Sequence, residues 1–482
     1  MLSPLRPSPP VVKSLFLKVG LRLGISLFSG CSQPLLSSMP TPSFDGGNTL
    51  PDASRHSSGD SAGDSARDAE GADGGDIFLR DVGSASAGDA ASLDTGHSGM
   101  DAGCTPGPCR SHILIPDRQN SLQAICLDFE EVRQAVGLPD GSQNAGASVV
   151  DYDGDHRPDI YLLKEVGANQ MFHNQGGNFQ VAQGLRLNLA SGTRYAAWRD
   201  VNGDGNLDVV IGGDSGSALS INDGRIFAPA LPEVGIHDMN ASRTAVWLGA
   251  NLLVGTENGL RFFQQGPGLV FEEVSAALGL DDFGDAHALA IADYNGDGLP
   301  DIYVANSTGV DRLFMAQANG MYQSVEMMTG TQGSGNSTDA QWIIYQPGAS
   351  TSLYVSSFGR GNSFFVNMGN GAFQDRAGSL GIRDNGNTTR VKWGDFAGNG
   401  YPHLVEARSG QENLYFIPEI DAAGDVVRYQ NRAPALGLNL NGQTVGLETL
   451  DYDGDARQDL LVILTDGMRL YHNISRRVNL CH

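Results

Sequence analysis

The sequence predicts an all-β fold: a seven-bladed β-propeller with Velcro-type ring closure, preceded by a disordered N-terminal tether. An aspartate-rich segment recurs as DYDGDHRPDIYLL from residue 151, DVNGDGNLDVVIG from 200, DYNGDGLPDIYVA from 293 and DYDGDARQDLLVI from 451. A weaker copy, DFAGNGYPHLVEA, begins at residue 395. A repeat length of roughly 50 residues is typical of propeller blades. The 64 glycines also suit a protein with many tight turns.

Two gaps between the copies are each about twice the repeat length, and each contains a degenerate unit. SRTAVWLGANLLVGTENGLRFF, from residue 242, keeps the strands with a shortened loop. DAQWIIYQPGASTSLYVSSF, from residue 339, keeps the loop length but loses its acidic positions. Each unit has a short strand, a loop, an apolar strand, a third strand and a fourth strand before Gly-Leu or Gly-Ile. Four strands in each of seven units predict seven blades.

The seventh unit supplies only three strands, so its fourth is predicted from the other end of the domain. LDFEEV, which begins at Leu127, should complete the blade begun by residues 445–473 and leave no open edge. A Cys126–Cys481 disulfide would then secure this seam, and a loop of that size is worth roughly 4–5 kcal/mol in the chain-entropy model. The alternatives are free thiols or another pairing that uses Cys104 and Cys109, which flank a TPGP turn.

The N-terminal region is predicted to direct export. Residues 1–31 resemble a bacterial lipoprotein signal, with basic residues before a short apolar run and Cys31 after Ser-Gly, so we expect Cys31 to be lipidated. An ordinary secretory signal, or a start assigned too far upstream, is the alternative. Residues 32–118 are rich in Ser, Gly, Ala and Asp and should form a disordered linker, because they cannot bury enough apolar surface to fold. The propeller is assigned to residues 119–482.

The formal net charge of -24 restricts the expected partners. It argues against nucleic acid, whose phosphates require a cationic surface. It fits divalent metal ions, whose charge would offset part of it. No segment after the signal is apolar enough over roughly 20 residues to span a bilayer, so membrane attachment is expected only through the N-terminal lipid.

The repeated loops place oxygen-bearing side chains at positions 1, 3, 5 and 9, counted from the first aspartate. An EF-hand is excluded because position 12 of the first loop is Leu162 and a strand follows. With a backbone carbonyl at position 7, five or more hard oxygens suit Ca²⁺ better than Mg²⁺. Such carboxylates would repel each other without a cation, and a solvated acidic turn does not explain four copies. We therefore predict calcium sites.

The units resemble FG-GAP/VCBS repeats, as in the integrin α-subunit propeller, in the D-x-[DN]-x-D-G-x-x-D loop and in the third-strand pattern NQMFHNQG. The resemblance covers about residues 124–475 and implies that each loop between strands one and two holds Ca²⁺. The loop at 395 has Ala397, Asn399 and His403 at ligand positions and is expected to be empty, which leaves about four Ca²⁺ ions. The implied side-chain ligands are Asp151, Asp153, Asp155 and Asp159; Asp200, Asn202, Asp204 and Asp208; Asp293, Asn295, Asp297 and Asp301; and Asp451, Asp453, Asp455 and Asp459. The implied carbonyl ligands belong to Arg157, Asn206, Leu299 and Arg457.

The resemblance to integrins implies that partners bind the face opposite these loops. Four basic residues align near the start of strand one on that face, and they could attract an anionic ligand or simply pair with neighbouring acids. They are Arg194, Arg243, His287 and Arg390. Four tryptophans align at one strand-one position, where packing between blades is expected in preference to sugar stacking. They are Trp198, Trp247, Trp342 and Trp393.

No motif of a catalytic serine, a zinc peptidase or a phosphate loop occurs in the sequence. The leading hypothesis is a non-catalytic, calcium-stabilised module that binds or adheres to an extracellular protein or glycan. It would be secreted, as a bacterial outer-membrane or cell-surface lipoprotein. The alternatives are a carbohydrate-active lyase or hydrolase on a propeller fold and a scaffold of an envelope complex. A cluster of acids or histidines at the channel mouth would favour the enzyme.

Overall fold

A computed structural model describes residues 109–117, 123–187, 192–236, 241–333 and 335–479. The predicted signal with Cys31, the linker up to residue 108 with Cys104, and the C-terminal Cys481 lie outside the described residues. No helix of the described part exceeds one turn, and none could cross a membrane.

The first half of the ring follows three short strands, which are β1 (Leu114–Pro116), β2 (Gln123–Cys126) and β3 (Phe129–Glu131). Blade one contains β4 (Asn144–Val150), β5 (Asp159–Lys164), β6 (Gln170–Asn174) and β7 (Phe179–Val181). Blade two contains β8 (Thr193–Arg199), β9 (Asp208–Gly213), β10 (Gly216–Asn222) and β11 (Phe227–Pro229). Blade three contains β12 (Ser242–Leu248), β13 (Asn251–Thr256), β14 (Gly259–Gln265) and β15 (Phe271–Glu273).

The second half of the ring follows the same order. Blade four contains β16 (Ala286–Ala292), β17 (Asp301–Asn306), β18 (Arg312–Ala316) and β19 (Tyr322–Ser324). Blade five contains β20 (Ser337–Ile343), β21 (Ser352–Ser357), β22 (Ser363–Asn367) and β23 (Phe373–Asp375). Blade six contains β24 (Thr388–Gly394), β25 (His403–Glu412), β26 (Leu414–Ile420) and β27 (Val426–Asn431). Blade seven contains β28 (Asn441–Leu450), β29 (Asp459–Leu464) and β30 (Gly467–Asn473), and β31 (Arg476–Asn479) follows it.

The seven blades form a closed ring. Each is an antiparallel sheet, and strands that follow each other in sequence pair in every blade, with β3 added to β30 in blade seven. Each first strand contacts the first strand of the next blade. The circuit is complete because β28 of blade seven contacts β4 of blade one. The predicted seven-bladed propeller is confirmed, and the two degenerate units form blades three and five.

The ring closes as predicted, through a fourth strand that comes from the N-terminal side. Strand β3 pairs antiparallel with β30, with Phe129 opposite Asn473 and Glu131 opposite Tyr471. Blade seven therefore combines three C-terminal strands with one N-terminal strand. This arrangement leaves no unpaired edge on β30, which is the physical reason for such a seam.

The predicted Cys126–Cys481 disulfide is wrong, because Cys126 bonds to Cys109 with a Cα–Cα distance of 5.7 Å. Cys126 does not begin the closing strand. It ends β2, which lies between β1 and β31 in a separate three-stranded sheet. The β1–β2 hairpin folds the chain back so that Cys109 reaches Cys126 locally. The segment 109–117, which the sequence predicted as linker, supplies β1 of this sheet.

The small sheet packs against the outer part of blades six and seven. Ile115 and Ile125 from the sheet share an apolar cluster with Ile417 of blade six and Tyr471 of blade seven. The small sheet combines β31 from the C-terminal side of the chain with β1 and β2 from the N-terminal side. It therefore also links the two chain segments that meet at the β3–β30 closure. The closure is thus supported by an apolar contact that the repeat pattern does not contain.

The second strand of each blade is buried between its two neighbours, which explains its nearly continuous apolar sequence. Three second strands carry a fully buried tyrosine whose hydroxyl bonds to a carbonyl in the segment that leads to the next blade: Tyr161 to Leu187 O (2.9 Å), Tyr303 to Thr331 O (3.3 Å), and Tyr354 to Ile382 O (3.0 Å). The indole of Trp198 donates to Ser148 in the preceding blade at 3.1 Å. This tryptophan therefore packs between blades.

Among the described residues, short helices follow four of the fourth strands. These are a 3₁₀ helix at Pro232–Val234, α1 (Ser275–Leu278), α2 (Glu326–Thr329) and α3 (Ala433–Leu436). Three of them end just before a Gly-Leu or Gly-Ile pair, whereas α2 ends before Gly330-Thr331. Gly279 ends α1 with φ 79° and Gly437 ends α3 with φ 70°, a left-handed conformation that favours glycine. The chain then turns inward to begin the next blade.

Candidate metal centres

Four aspartate-rich loops join the first and second strands of blades one, two, four and seven. We call the end of the ring that carries them the loop face. In each loop, the residue at position 4 is a glycine with positive φ, from 75° at Gly154 to 80° at Gly454. Position 6 is also left-handed in every loop. It is glycine in blades two and four but His156 (φ 67°) and Ala456 (φ 65°) in blades one and seven.

The first aspartate of each loop organises the turn through backbone amides. Asp200 Oδ1 accepts hydrogen bonds from the amides of Gly203 at 2.7 Å and Asp204 at 3.2 Å, and Oδ2 accepts one from Gly205 at 2.9 Å. The loop that begins at Asp293 repeats the pattern, with 2.7 Å to both glycine amides. The loop conformation is therefore held by its own hydrogen bonds, with the carboxylates gathered on its inner side.

The aspartate at position 9 begins the second strand and is fully buried in all four blades. Asp159 accepts one amide from Tyr152 in the loop (3.3 Å) and another from Asn174 in the third strand (2.7 Å). Burial raises the pKa of Asp159, and likewise of Asp301 and Asp459, to about 7. Neighbouring loop carboxylates contribute to these raised pKa values, and a divalent cation would relieve that repulsion.

The donor set of the loops fits a hard divalent cation. In blades one and seven, carboxylate oxygens of the aspartates at positions 1, 3 and 9 all lie within 4.8 Å of one another. In blades two and four, position 3 is Asn202 or Asn295, whose side-chain nitrogen donates to the aspartate at position 5 at 3.0 Å. The predicted ligands of each loop therefore lie together. The residues that would contribute carbonyls, Arg157, Asn206, Leu299 and Arg457, lie in the same turns.

The arginine side chains at position 7 were not predicted to act, yet they contact the loops. The guanidinium of Arg157 pairs with Asp155 and donates to the carbonyl of Asn174 at 2.9 Å. Arg457 pairs with Asp455 in the same way. Each arginine thus orients the position-5 carboxylate and offsets part of the extra charge that Asp153 or Asp453 brings.

Two histidines also belong to these loops, and the sequence alone did not assign them there. His173, in β6, lies with Nδ1 3.3 Å from Asp153 and 3.2 Å from Asp159. His472, in β30, lies with Nε2 3.2 Å from Asp453 and 3.2 Å from Asp455. The signal was their shared position immediately before the asparagine of the third strand, in FHN and YHN.

The loop of blade six keeps the backbone conformation of the other loops but lacks their side-chain oxygens at ligand positions 3 and 9. Gly398 and Gly400 have φ 65° and 85°, and Asp395 still accepts the amide of Gly400 at 2.7 Å. His403 replaces the buried aspartate, and burial lowers its pKa to about 3, so it is neutral. Pro418 stands where the other third strands supply an amide to that aspartate, and proline has no N–H to donate. That this loop is empty stays a prediction.

Asparagine side chains connect several loops to the next blade. The Nδ2 atoms of Asn174, Asn367 and Asn473 each donate at 2.8 Å to the carbonyl of the second loop residue in the preceding blade. In blade three, Gln265 does the same to Val201 at 2.9 Å. These hydrogen bonds therefore couple the loop conformation of one blade to the third strand of the next blade.

On the opposite face, the four predicted basic residues line one cavity of about 220 Å³ at the channel mouth. Arg194 pairs with Glu165 (2.7 Å) and Asp214 (3.1 Å), and Arg243 pairs with Asp285 (3.0 Å). Arg194 and Arg243 therefore pair with neighbouring acids, which was the alternative to binding an anionic ligand. They connect blades one to four at the channel mouth.

His287 and Arg390 complete the lining of this cavity. The guanidinium of Arg390 donates to the carbonyls of Thr338 and Thr389 at 3.4 and 2.8 Å. Burial, followed by the charge of Arg390, lowers the pKa of His287 to about 4, so its imidazole is neutral. Among the described residues, no metal-spaced group of acids and histidines lies at this mouth.

Comparison with known proteins identifies the repeat. Residues 151–211 match the family model for the FG-GAP-like repeat. The chain carries FG-GAP-like repeats. The resemblance inferred from the sequence is thereby confirmed, and the matched segment contains the loops of blades one and two.

Two curated proteins similar to this chain are both cartilage acidic protein 1. The one from Mus musculus is 28% identical over 41% of this chain, and the one from Xenopus tropicalis is 27% identical over 37%. The matches span 36% and 33% of those proteins, about a third of their length. Among solved structures, BBS1N in complex with ARL6DN, soaked with lead, aligns over 71% of this chain and 95% of that chain, with 13% identity and a TM-score of 0.46.

Proposed function

We propose that this protein is a non-catalytic, calcium-stabilised propeller that binds a protein or glycan outside the cell. The observation that carries the proposal is the set of four loops on one face of a closed ring, each with side-chain oxygens at the same four positions. The FG-GAP-like repeats and the match to cartilage acidic proteins support an extracellular location. Lipid attachment at Cys31, on a bacterial outer-membrane or cell surface, is part of the same proposal.

Calcium would act here on structure. Bound Ca²⁺ supplies positive charge to the loop carboxylates, including the buried aspartates at position 9. The chain's own residues do the rest: the first aspartate shapes the turn, and the asparagines transmit the loop position to the next blade. The metal would therefore stiffen the loop face and keep neighbouring blades in register, without contacting the ligand.

The ligand is proposed to bind the opposite face. Beside the channel mouth, a larger cavity of about 520 Å³ lies between blades seven and one, lined by polar and apolar residues that include Glu165, Val166 and Arg194. Val166 is 54% exposed at its rim. A mixed polar and apolar concave surface suits a protein or glycan better than a small apolar molecule.

The metal part of the proposal is tested on the full chain. Metal analysis after dialysis against calcium should find about four Ca²⁺ ions per chain, and a chelator should lower the melting temperature by many degrees. One ion or none would overturn the ligand assignment. An unchanged melting temperature would refute the structural role of calcium.

The binding part is tested with a pair of exposed valines on opposite faces. Val166→Asp alters the proposed ligand face, and Val270→Asp alters a turn on the loop face, where Val270 is 47% exposed. Wild-type protein is first screened on a glycan array and against extracellular proteins. Binding should then be lost in Val166→Asp and kept in Val270→Asp. The reverse result would place the ligand on the loop face.

A further inference from the structure

The loops of blades one and seven differ from the other two by an imidazole that approaches the loop from the third strand. His173 Nδ1 lies 3.2–3.3 Å from carboxylate oxygens of Asp153 and Asp159, and His472 Nε2 lies 3.2 Å from those of Asp453 and Asp455. In each blade, one nitrogen and the oxygens at positions 3 and 5 all lie within 4.8 Å of one another. Each set therefore brings together donors from two separate elements, the loop and the third strand.

In this structure the imidazoles hydrogen-bond to the carboxylates at these distances. The 3.3 Å from His173 to Asp153, and the 3.2 Å from His472 to Asp453 and to Asp455, are also the spacing of adjacent ligands around a transition-metal ion. With metal–ligand bonds of about 2.1 Å, adjacent ligand atoms lie roughly 3.0–3.4 Å apart, depending on whether the geometry is octahedral or tetrahedral. Ca²⁺ is held by oxygen ligands at longer distances. Imidazole with carboxylates is instead a donor set for Zn²⁺ and similar borderline ions.

We infer that the loops of blades one and seven bind a borderline divalent cation, represented by Zn²⁺, through His173 with Asp153 and Asp155, and through His472 with Asp453 and Asp455. The loops of blades two and four take Ca²⁺ alone. This inference rests on the proposed function only in that the loops are metal sites. It adds that the four sites fall into two chemical classes.

The chain supplies its own comparison for the two classes. Sheet register places Ile221 of blade two and Met315 of blade four where blades one and seven have histidine. The same two blades have asparagine at position 3, so they lack both the imidazole and the extra carboxylate. Histidine and the carboxylate at position 3 therefore occur together, as a coordination set requires.

The site is partly open, which allows a cation to enter. The side chain of His173 is 22% exposed and that of Asp153 34% exposed, while those of His472 and Asp453 are 18% and 27% exposed. Arg157 and Arg457 hold the position-5 carboxylates from the outer side. Metal entry then requires only that the histidine exchanges its contacts with the carboxylates for a bond to the ion.

The test uses untagged full-length protein, first saturated with Ca²⁺ and then dialysed against Zn²⁺, with both metals measured in the protein. We expect Zn²⁺ to replace the ion in the two histidine loops and to leave Ca²⁺ in the other two. Zn²⁺ binding should be lost in a His173→Ile, His472→Met double variant, which carries the residues of blades two and four, while its calcium content before the zinc dialysis stays that of the wild type. Circular dichroism checks that the variant is folded.

Wild-type protein that takes up no Zn²⁺, or a folded double variant that takes up as much as the wild type, would overturn the inference. Each single variant should lose one Zn²⁺, which keeps the test usable if the double variant does not fold. Substitution with Co²⁺ provides a separate readout, because absorption bands from imidazole ligation should disappear with the histidines. Failure of the proposed function is distinguished by the calcium content of the two loops without histidine, which this inference leaves unchanged.

Discussion

Asn174 provides the sharpest test of how the loops hold neighbouring blades together. Its fully buried side chain donates to Tyr452 O in the loop of blade seven (2.8 Å) and to Pro158 O in its own blade (3.2 Å). Its Oδ1 atom accepts hydrogen bonds from the amides of Gly176 (3.1 Å) and Gly177 (2.8 Å). Replacement by alanine removes all four hydrogen bonds and leaves the carbonyl of the buried Tyr452 without this partner.

The expected loss in the free energy of unfolding can be estimated from these four hydrogen bonds and compared with that at a matched site in blade two. At about 1 kcal/mol for each hydrogen bond, Asn174→Ala should lower the free energy of unfolding by about 4 kcal/mol. Asn222 occupies the same position in blade two. Its side chain makes two corresponding bonds within its blade, to Leu207 O and from Gly224 N. Asn222→Ala should therefore cost about 2 kcal/mol.

The measurement is equilibrium unfolding in urea at saturating Ca²⁺, monitored by tryptophan fluorescence. Both variants are analysed with the same dependence of the free energy of unfolding on urea concentration. The calcium affinity of the loop at 451 should also fall in Asn174→Ala, because Tyr452 lies in that loop. Equal losses in the two variants would refute the reasoning, since the contact between blades would then contribute nothing measurable. A loss confined to calcium affinity would show that the contact matters only for the metal.

Three further predictions concern the loops, the buried charges and the disulfide. Ala456→Gly should raise the free energy of unfolding by about 1 kcal/mol by relieving a left-handed alanine, and Gly205→Ala should lower it by a similar amount, both measured by urea unfolding. Burial raises the pKa of Glu406 from 4.5 to about 8, so the folded state keeps this proton and the free energy of unfolding falls as the pH rises between these values. Glu406→Gln should flatten that part of the plot of melting temperature against pH. An unchanged plot would contradict the raised pKa of Glu406. Non-reducing peptide mapping should recover a peptide in which Cys109 is linked to Cys126, whereas a Cys126–Cys481 peptide would contradict the structure. Replacing both cysteines by serine should lower the free energy of unfolding by roughly 3 kcal/mol for a loop of this size.

Several correct predictions came from patterns that are local and repeated. The strands and loops of blades one, two, four and seven are visible in thirteen-residue copies, and comparison of units revealed the two degenerate blades. The seam could be predicted because an incomplete unit at each end left only one partner for β3 and β30. The ligand residues of each loop lie within nine positions, so spacing alone brings them together.

Other features depend on which distant residues meet, and these the sequence could not supply. Cysteine pairing failed because the β1–β2 hairpin lies outside the repeat and has no copy for comparison. The basic residues at the channel mouth were found by alignment, but their acidic partners Glu165, Asp214 and Asp285 lie in turns of variable sequence. Charge compensation at Arg194 and Arg243 therefore became visible only in the folded ring.

The sequence by itself determined the number of blades, the position of the loops and the oxygen donors of each loop, because these follow from a short pattern repeated along the chain. The tertiary structure decided the disulfide, the bonds between blades and the approach of His173 and His472 to two of the four loops. The physical reason is that the third strand returns beside the loop only after the blade has folded. Donors from separate strands can be counted as neighbours only once their register is known.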